Sequence, residues 1–149
     1  MPPQMRTIPS GELGADTMSG FATLTIQQDG FVNFHGHTHD SGFFGGQYLV
    51  AMWFTDVQDD QGRTIMFVRE HDIVGTIGGG DSRDDDWSID GLSDPAMKSY
   101  ITDHWDRSAS SNWDRSMIFN SDAGIDIFAI LVGTLAEVGI APVVVYLQG

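Results

Sequence analysis

Three histidines at alternate positions are the clearest candidates for chemistry in this chain: His35, His37 and His39, with Asp40 directly after them. In an extended strand, alternate side chains share a face and lie about 6.6 Å apart, because each residue advances the strand by about 3.3 Å. Two imidazoles at this spacing can bind one divalent metal such as Zn²⁺, together with a ligand from elsewhere in the chain. The pattern therefore predicts a metal site with His35, His37, His39 and Asp40 as candidate ligands.

Three functions are open to such a histidine strand. A metal with an open coordination position can activate water, which would make the protein a small metal-dependent hydrolase. The same side chains can instead form a hydrogen-bonded polar face, or a patch whose charge changes near neutral pH. The negative charge of the chain favours protonated imidazole, and protonation opposes metal binding.

A second candidate site is the acidic segment at 81–91, where five aspartates fall within ten residues. Carboxylates are preferred ligands of Ca²⁺, so Asp84, Asp86 and Asp90 are candidate calcium ligands, although their spacing does not match an EF-hand loop. The alternative is a solvated loop in which aspartates stabilise turns. Trp87 is predicted either to anchor this loop to the body or to offer an exposed stacking platform for a sugar.

The overall composition excludes several classes of partner. Twenty-one acidic residues against seven basic ones give a net charge of −14, so no basic surface is expected that could bind nucleic acid or an anionic membrane. The absence of cysteine excludes disulfides and thiolate metal sites. Eighteen of the acids are aspartate, a residue that favours turns and caps, which indicates a β-rich chain with many loops.

The elements that must position the histidines begin with a β-hairpin. Residues 21–27 and 31–39 both alternate apolar and polar side chains, which predicts two half-buried strands. A three-residue loop with Gly30 in the left-handed conformation makes one face of the hairpin wholly apolar, whereas a two-residue loop pairs apolar with polar residues. The histidines, Thr23 and Phe21 then lie on the second face. The predicted cross-strand pairs are Ile26 with Val32, Leu24 with Phe34, Ala22 with Gly36, Thr23 with His35, and Phe21 with His37.

Residues 47–57 carry apolar side chains on both faces, which predicts a central strand, and 63–70 is its return strand. A helix is predicted to start at Pro95 and to bury one face, and a second helix to end at Gly139 before a strand at 141–147.

The segment from Phe128 to Leu147 carries one charge and reaches the length of a membrane span, which would allow a membrane-active protein. Gly139 and Pro142 interrupt it, so a buried helix followed by a buried strand is the preferred interpretation. We therefore expect no stable membrane insertion.

Together these patterns predict an α+β fold that is mainly antiparallel β-sheet, sandwich- or barrel-like, with about five or six strands and two helices in the C-terminal half. Residues 1–19 are predicted to be an irregular N-terminal arm, and 20–149 a single β-rich domain.

The leading functional expectation is a non-catalytic binding or self-assembly module, with a divalent metal (Zn or Ca) or a glycan as ligand. The alternatives are the metal-dependent hydrolase and the membrane-active protein. The apolar C-terminal third is a candidate interface for a homo-oligomer. Neither a signal peptide nor a transmembrane span is evident, so the expected location is cytoplasmic, or outside the cell by a non-classical route.

Overall fold

The computed structural model describes residues 4–15, 18–41, 46–73, 84–91, 95–103, 105, 115–121, 127–139 and 142–148. These residues form two four-stranded sheets and two helices. The first sheet has the order β1-β2-β3-β6 and is antiparallel throughout. Its strands are β1 (Met5–Ala15), β2 (Met18–Gln27), β3 (Val32–Asp40) and β6 (Asp84–Asp90).

The second sheet has the order β7-β4-β5-β8 and is antiparallel except that β8 runs parallel to β5. Its strands are β4 (Gly46–Gln58), β5 (Thr64–Ile73), β7 (Arg115–Ser121) and β8 (Val143–Gln148). The predicted class, a mainly antiparallel α+β protein with two helices in the C-terminal half, is confirmed. Eight strands lie within the described residues rather than five or six, because β1, β6 and β7 were not recognised as strands.

The hairpin that carries the histidines has the predicted geometry. Gly30 has a φ of 92°, and the amide of Gln27 donates to the carbonyl of Phe31 at 2.8 Å. The register pairs Leu24 with Phe34, and each of the other predicted pairs is also present. The turn chemistry and the apolar alternation were therefore sufficient to predict this hairpin and its faces.

The main core lies between the two sheets, where apolar side chains of β2 and β3 pack against those of β4 and β5. Strand β4 is covered on both faces, as predicted, because its side chains alternate between two buried clusters. Tyr48, Val50 and Met52 point toward the first sheet. Leu49, Ala51 and Trp53 belong to the second cluster, which includes Leu131 and Leu135 of the second helix.

The N-terminal segment is a strand, and the prediction of an irregular arm was wrong. Strand β1 pairs with β2 along its length, with an irregularity between Pro9 and Glu12. Within that irregularity the Ser10 hydroxyl accepts a hydrogen bond from the amide of Ala22 at 2.9 Å. An edge strand tolerates proline because one side of it donates no ladder hydrogen bonds, so Pro9 did not exclude a strand here.

The two helices lie in the regions where the sequence predicted them. Helix α1 (Pro95–Asp103) buries Tyr100 and Ile101 in the main core, together with Trp105 beyond its end. Helix α2 (Ile127–Glu137) is followed by Gly139 with a φ of 81°, and then by β8, so the order of helix, glycine stop and strand is as predicted. Among the side chains of this helix that the structure describes, burial is on one face only, through Leu131 and Leu135. Within the described residues, neither helix combines the length and apolar character that crossing a membrane requires.

Candidate functional site on the outer face of the first sheet

The pairing of β3 with β6 brings the two predicted site regions together. In this register His37 lies opposite Asp86 and His39 opposite Asp84. The acidic segment was predicted to be a loop, but from Asp84 to Asp90 it is a strand with exposed and less exposed residues in alternation. The reason is tertiary, because the interior positions of β6 contact the core and this burial overrides the low strand propensity of aspartate.

We define the outer face as the solvent-facing side of the first sheet along β2, β3 and β6. On β3 the odd-numbered residues are partly exposed and the even-numbered residues are buried, so all three histidines lie on this face. The predicted common orientation of His35, His37 and His39 is therefore confirmed. The outer face comprises Ser19, Phe21, Thr23, Thr25, Asn33, His35, His37, His39, Asp84, Asp86, Ser88 and Asp90.

His37 is the centre of the polar contacts on the outer face. Its Nδ1 lies 2.6 Å from Oδ1 of Asp86, and its Nε2 lies 3.1 Å from Oδ1 of Asp84. Only the protonated imidazole can donate at both nitrogens. The hydrogen bond with Asp86 raises the pKa of His37, burial opposes that rise, and the charges of Asp86 and Asp84 add to it. This arrangement favours an imidazolium held between two carboxylates.

Asp84 serves two histidines through a single oxygen. Its Oδ1 lies 2.8 Å from Nδ1 of His39 as well as near His37. The hydrogen bond from His39 holds the pKa of the Asp84 carboxyl below its usual value, and electrostatic interactions with His39 and His37 contribute. The carboxylate therefore stays ionised and links consecutive outward-facing histidines of β3.

His35 belongs to a different part of the network. Its Nδ1 lies 2.7 Å from the side-chain oxygen of Asn33. The Asn33 amide nitrogen in turn donates to the hydroxyl of Ser88 at 2.9 Å and to Oδ1 of Asp90 at 2.6 Å. Asp90 is therefore on the same face as the histidines but contacts an amide rather than an imidazole.

Asp40 does not join the other predicted metal ligands. It follows His39 directly, so its side chain points to the opposite, inner face of β3, where the residue is 1% exposed. The prediction that Asp40 shares a site with the histidines was wrong for this reason. Over the described ranges, the structure contains no group of three or more His, Asp or Glu side chains placed to hold a metal ion. Metal binding by the remaining candidates stays a prediction.

Trp87 is the anchor of β6, not an exposed platform. The residue is 6% exposed, and its ring meets Phe34 edge-on with centroids 4.9 Å apart. Its indole nitrogen donates to the hydroxyl of Thr38 at 3.4 Å. The prediction of Trp87 as a ligand-stacking residue was wrong, because its position in β6 points the side chain into the core.

Phe21 is the exposed aromatic side chain of the outer face, and sequence reasoning missed it as a site residue. It is 48% exposed and stacks on His37 with ring centroids 6.1 Å apart and an angle of 27° between the planes. The hairpin register placed Phe21 opposite His37, so the neighbours were predictable. The exposure of the ring was not predictable, because a phenylalanine side chain in a strand is usually buried in the core.

Asp85 fixes β6 to the second sheet from the inner side. Arg69 of β5 donates to its carboxylate at 2.9 Å, and the Tyr48 hydroxyl donates to the same oxygen. Burial would raise the pKa of Asp85, but the hydrogen bonds from Arg69 and Tyr48 bring it below the usual value. Burial and the contact with Asp85 raise the pKa of Tyr48. The aspartate therefore remains charged and paired.

The fold and the site together define a β-sandwich of two four-stranded sheets, one of which presents a polar face with a stacked phenylalanine and imidazole. Comparisons with protein-family models, with curated proteins and with solved structures found no match to this chain.

Proposed function

We propose that the protein is a non-catalytic binding module whose binding surface is the outer face and whose ligand is a glycan. The observation that carries the proposal is the half-exposed ring of Phe21, stacked on His37 beside the carboxylates of Asp84 and Asp86 on β6. Met5 is also a large exposed apolar residue, and by its register it lies on the same side of the first sheet. Met5 lies opposite Gln27, at the other end of β2 from Phe21, so the proposed binding surface is centred on the Phe21 ring, which offers apolar area for a ligand.

A sugar ring matches the chemistry of these groups. Its apolar C–H face can cover an aromatic ring, and its hydroxyls can donate to carboxylates in charge-assisted hydrogen bonds. Asp84 and Asp86 lie on either side of His37, so both acceptors are close to the stacked ring. Since all of these side chains project from paired strands, binding would require little ordering of the backbone.

Binding fits this surface better than catalysis. The outer face is a solvent-facing sheet surface, whereas catalytic groups depend on a site that excludes water and strengthens electrostatic interactions. The carboxylates nearest the histidines already accept hydrogen bonds from the rings. These contacts hold the carboxylates and the imidazoles in fixed positions, as a binding surface requires.

The proposal is tested by adding soluble hexasaccharides to the ¹⁵N-labelled protein and following the amide signals by NMR. We use hexamers of glucose, N-acetylglucosamine and glucosamine. The expected result is that at least one hexamer shifts signals of β2, β3 and β6 and that Phe21→Ala weakens its binding about tenfold, a loss typical of a stacking residue. Val138→Ala is the matched control, because Val138 is 71% exposed and follows α2.

Two results would overturn the proposal. One is that none of the three hexamers shifts any signal of the outer face. The other is that Phe21→Ala binds as tightly as the wild type, or that Val138→Ala loses as much affinity as Phe21→Ala does.

A metal function is the second candidate, and one contact favours it. Nitrogens of His37 and His39 both approach Oδ1 of Asp84, so three candidate ligands are neighbours, although in this arrangement the rings contact the carboxylate and do not converge on a point where a metal could bind. A zinc titration followed by calorimetry tests this function, with His39→Gln as the variant that removes one ligand. Stoichiometric binding that His39→Gln abolishes would support a metal site, and the absence of binding heat would remove it together with the hydrolase.

A further inference from the structure

Among the side chains that the structure describes, the acidic groups of the outer face contact histidine and asparagine and no arginine or lysine. Asp84, Asp86 and Asp90 line β6, and Glu12 of β1 lies opposite Phe21. The basic side chains that the structure describes lie elsewhere. Arg6 covers the ring of Trp105, Arg63 pairs with Asp59, Arg69 pairs with Asp85, and Lys98 is in α1.

The contacts of β6 with β3 use one oxygen of each outer carboxylate. Oδ1 of Asp90 accepts from Asn33, and Oδ1 of Asp86 and of Asp84 meet the histidines. Asp86 extends into solvent with 83% of its side chain exposed, compared with 50% for Asp84. Asp84 and Asp86 are about 6.6 Å apart along β6, and Asp90 lies about twice that distance beyond Asp86, because Ser88 takes the outward position between them. An extended ligand beside β6 would therefore meet three acidic groups at unequal spacing.

We infer that the glycan bound at the outer face is a chain of amino sugars with free, protonated amines, seated on Phe21 and paired with Asp86. This inference rests on the proposed function and specifies its ligand class. A protonated amine makes a charge-assisted hydrogen bond to a carboxylate, and it is attracted to the face of an aromatic ring. Uronates and sulfated glycans would be repelled by the same carboxylates.

Charge also decides between this ligand and a second copy of the chain. The protein has a net charge of −14, so two copies repel each other, whereas a polycationic ligand is attracted over the same distances. The exposed ring of Phe21 then distinguishes an amino sugar from a simple counterion, because a sugar ring can stack on it.

The test measures binding of the glucosamine hexamer by calorimetry against the N-acetylglucosamine hexamer, in which each amine is an uncharged amide. We expect the glucosamine hexamer to bind about tenfold more tightly at low salt, a difference that added salt reduces. Asp86→Asn should remove most of this preference. Asp103→Asn, which removes an exposed carboxylate of α1, should leave the preference unchanged.

The outcomes separate the inference from the proposed function. Equal affinity for the two hexamers would overturn the amino-sugar inference and leave a glycan module in place. If none of the hexamers binds, the proposed function itself is wrong. Hexalysine binding as tightly as the glucosamine hexamer would identify a basic peptide as the ligand instead. If Asp86→Asn and Asp103→Asn lowered the preference for the glucosamine hexamer equally, the preference would come from the overall negative charge of the protein and not from Asp86.

Discussion

The two faces of strand β6 place neighbouring aspartates in different physical environments. Asp85 points inward, where 21% of its side chain is exposed, and it pairs with Arg69 and Tyr48. Asp86 points outward with 83% of its side chain exposed and contacts His37. The strand period alone assigns one aspartate to the interior and the next to the surface, so residue type does not decide the role.

The difference in burial determines how much each contact contributes to the free energy of unfolding. Pairs exposed to water contribute at most about 1 kcal/mol, because solvent and salt screen them. Removing one partner of a buried pair costs several times more, because the other charge is left without compensation. The inner contacts of β6 therefore determine its stability, and the outer contacts are available for recognition.

The largest expected effect is at Trp87, the apolar anchor on the inner face of β6. Trp87→Ala removes the contact with Phe34 and leaves a cavity, which should lower the free energy of unfolding by about 4 kcal/mol. Urea denaturation measures this loss. Phe21→Ala is the matched substitution on the outer face and should cost less than about 1 kcal/mol. Equal losses for the two variants would contradict the division between the faces.

The adjacent residues Asp85 and Asp86 allow the two faces of β6 to be compared with the same substitution, aspartate to asparagine. Asp85→Asn leaves Arg69 without its carboxylate and should lower the free energy of unfolding by about 3 kcal/mol. Asp86→Asn should change it by no more than about 0.5 kcal/mol, as expected at an exposed position. Chemical denaturation of both variants at neutral pH decides the point. A loss in Asp86→Asn as large as that in Asp85→Asn would show that the outer contacts carry stability too.

The sequence allowed the hairpin to be predicted because its determinants are local. Gly30 specifies the turn, and the apolar residues of 21–27 and 31–39 fix one register. The long-range pairing of β3 with β6 could not be predicted in the same way. His39 and Asp84 are neighbours in space, but nothing in the intervening chain selects one strand as the partner of the other.

The candidate site was predictable in part for the same reason. Alternation placed His35, His37 and His39 on one face, but the carboxylates that contact them come from a segment whose composition is typical of a loop. Trp87 was misassigned because its environment depends on that pairing. Edge strand β1 was missed because Pro9 lowers strand propensity, and only the register with β2 shows that the position tolerates it.

Gly36 of β3 is packed closely against the backbone of β2 and the ring of Trp87. Its substitution should lower the free energy of unfolding by less than Asp85→Asn does. A Cβ at this position would meet the carbonyl oxygen of Phe21 and would lie 2.7 Å from Cζ2 of Trp87. Gly36→Ala should therefore lower the free energy of unfolding by about 2 kcal/mol through overpacking. Gly133→Ala is the opposite control, since that Cβ meets nothing within 4 Å and alanine favours the helix by about 1 kcal/mol. Destabilisation by both, or by neither, would contradict the close packing at Gly36.

The smallest expected effect is the pH dependence that His37 adds on the outer face. The hydrogen bond with Asp86 raises the pKa of His37 above its ordinary value of 6.5, so the folded protein holds this proton more tightly than the unfolded chain. The stabilisation is fully present below pH 6.5, and it is lost as pH rises through the folded pKa. Because the pair is exposed, the thermal midpoint should change by only about 2 °C across this range.

Asp86→Asn isolates this contribution, because it removes the principal cause of the raised pKa and leaves the imidazole in place. The difference in thermal midpoint between wild type and Asp86→Asn should therefore be largest at about pH 5.5 and vanish well above the folded pKa. Asp103→Asn should show no such pH-dependent difference, since its carboxylate lies on α1. If the difference in thermal midpoint between wild type and Asp86→Asn grew as pH rises, the His37 ring would have to be neutral in the folded protein. That result would contradict an imidazolium held between Asp84 and Asp86.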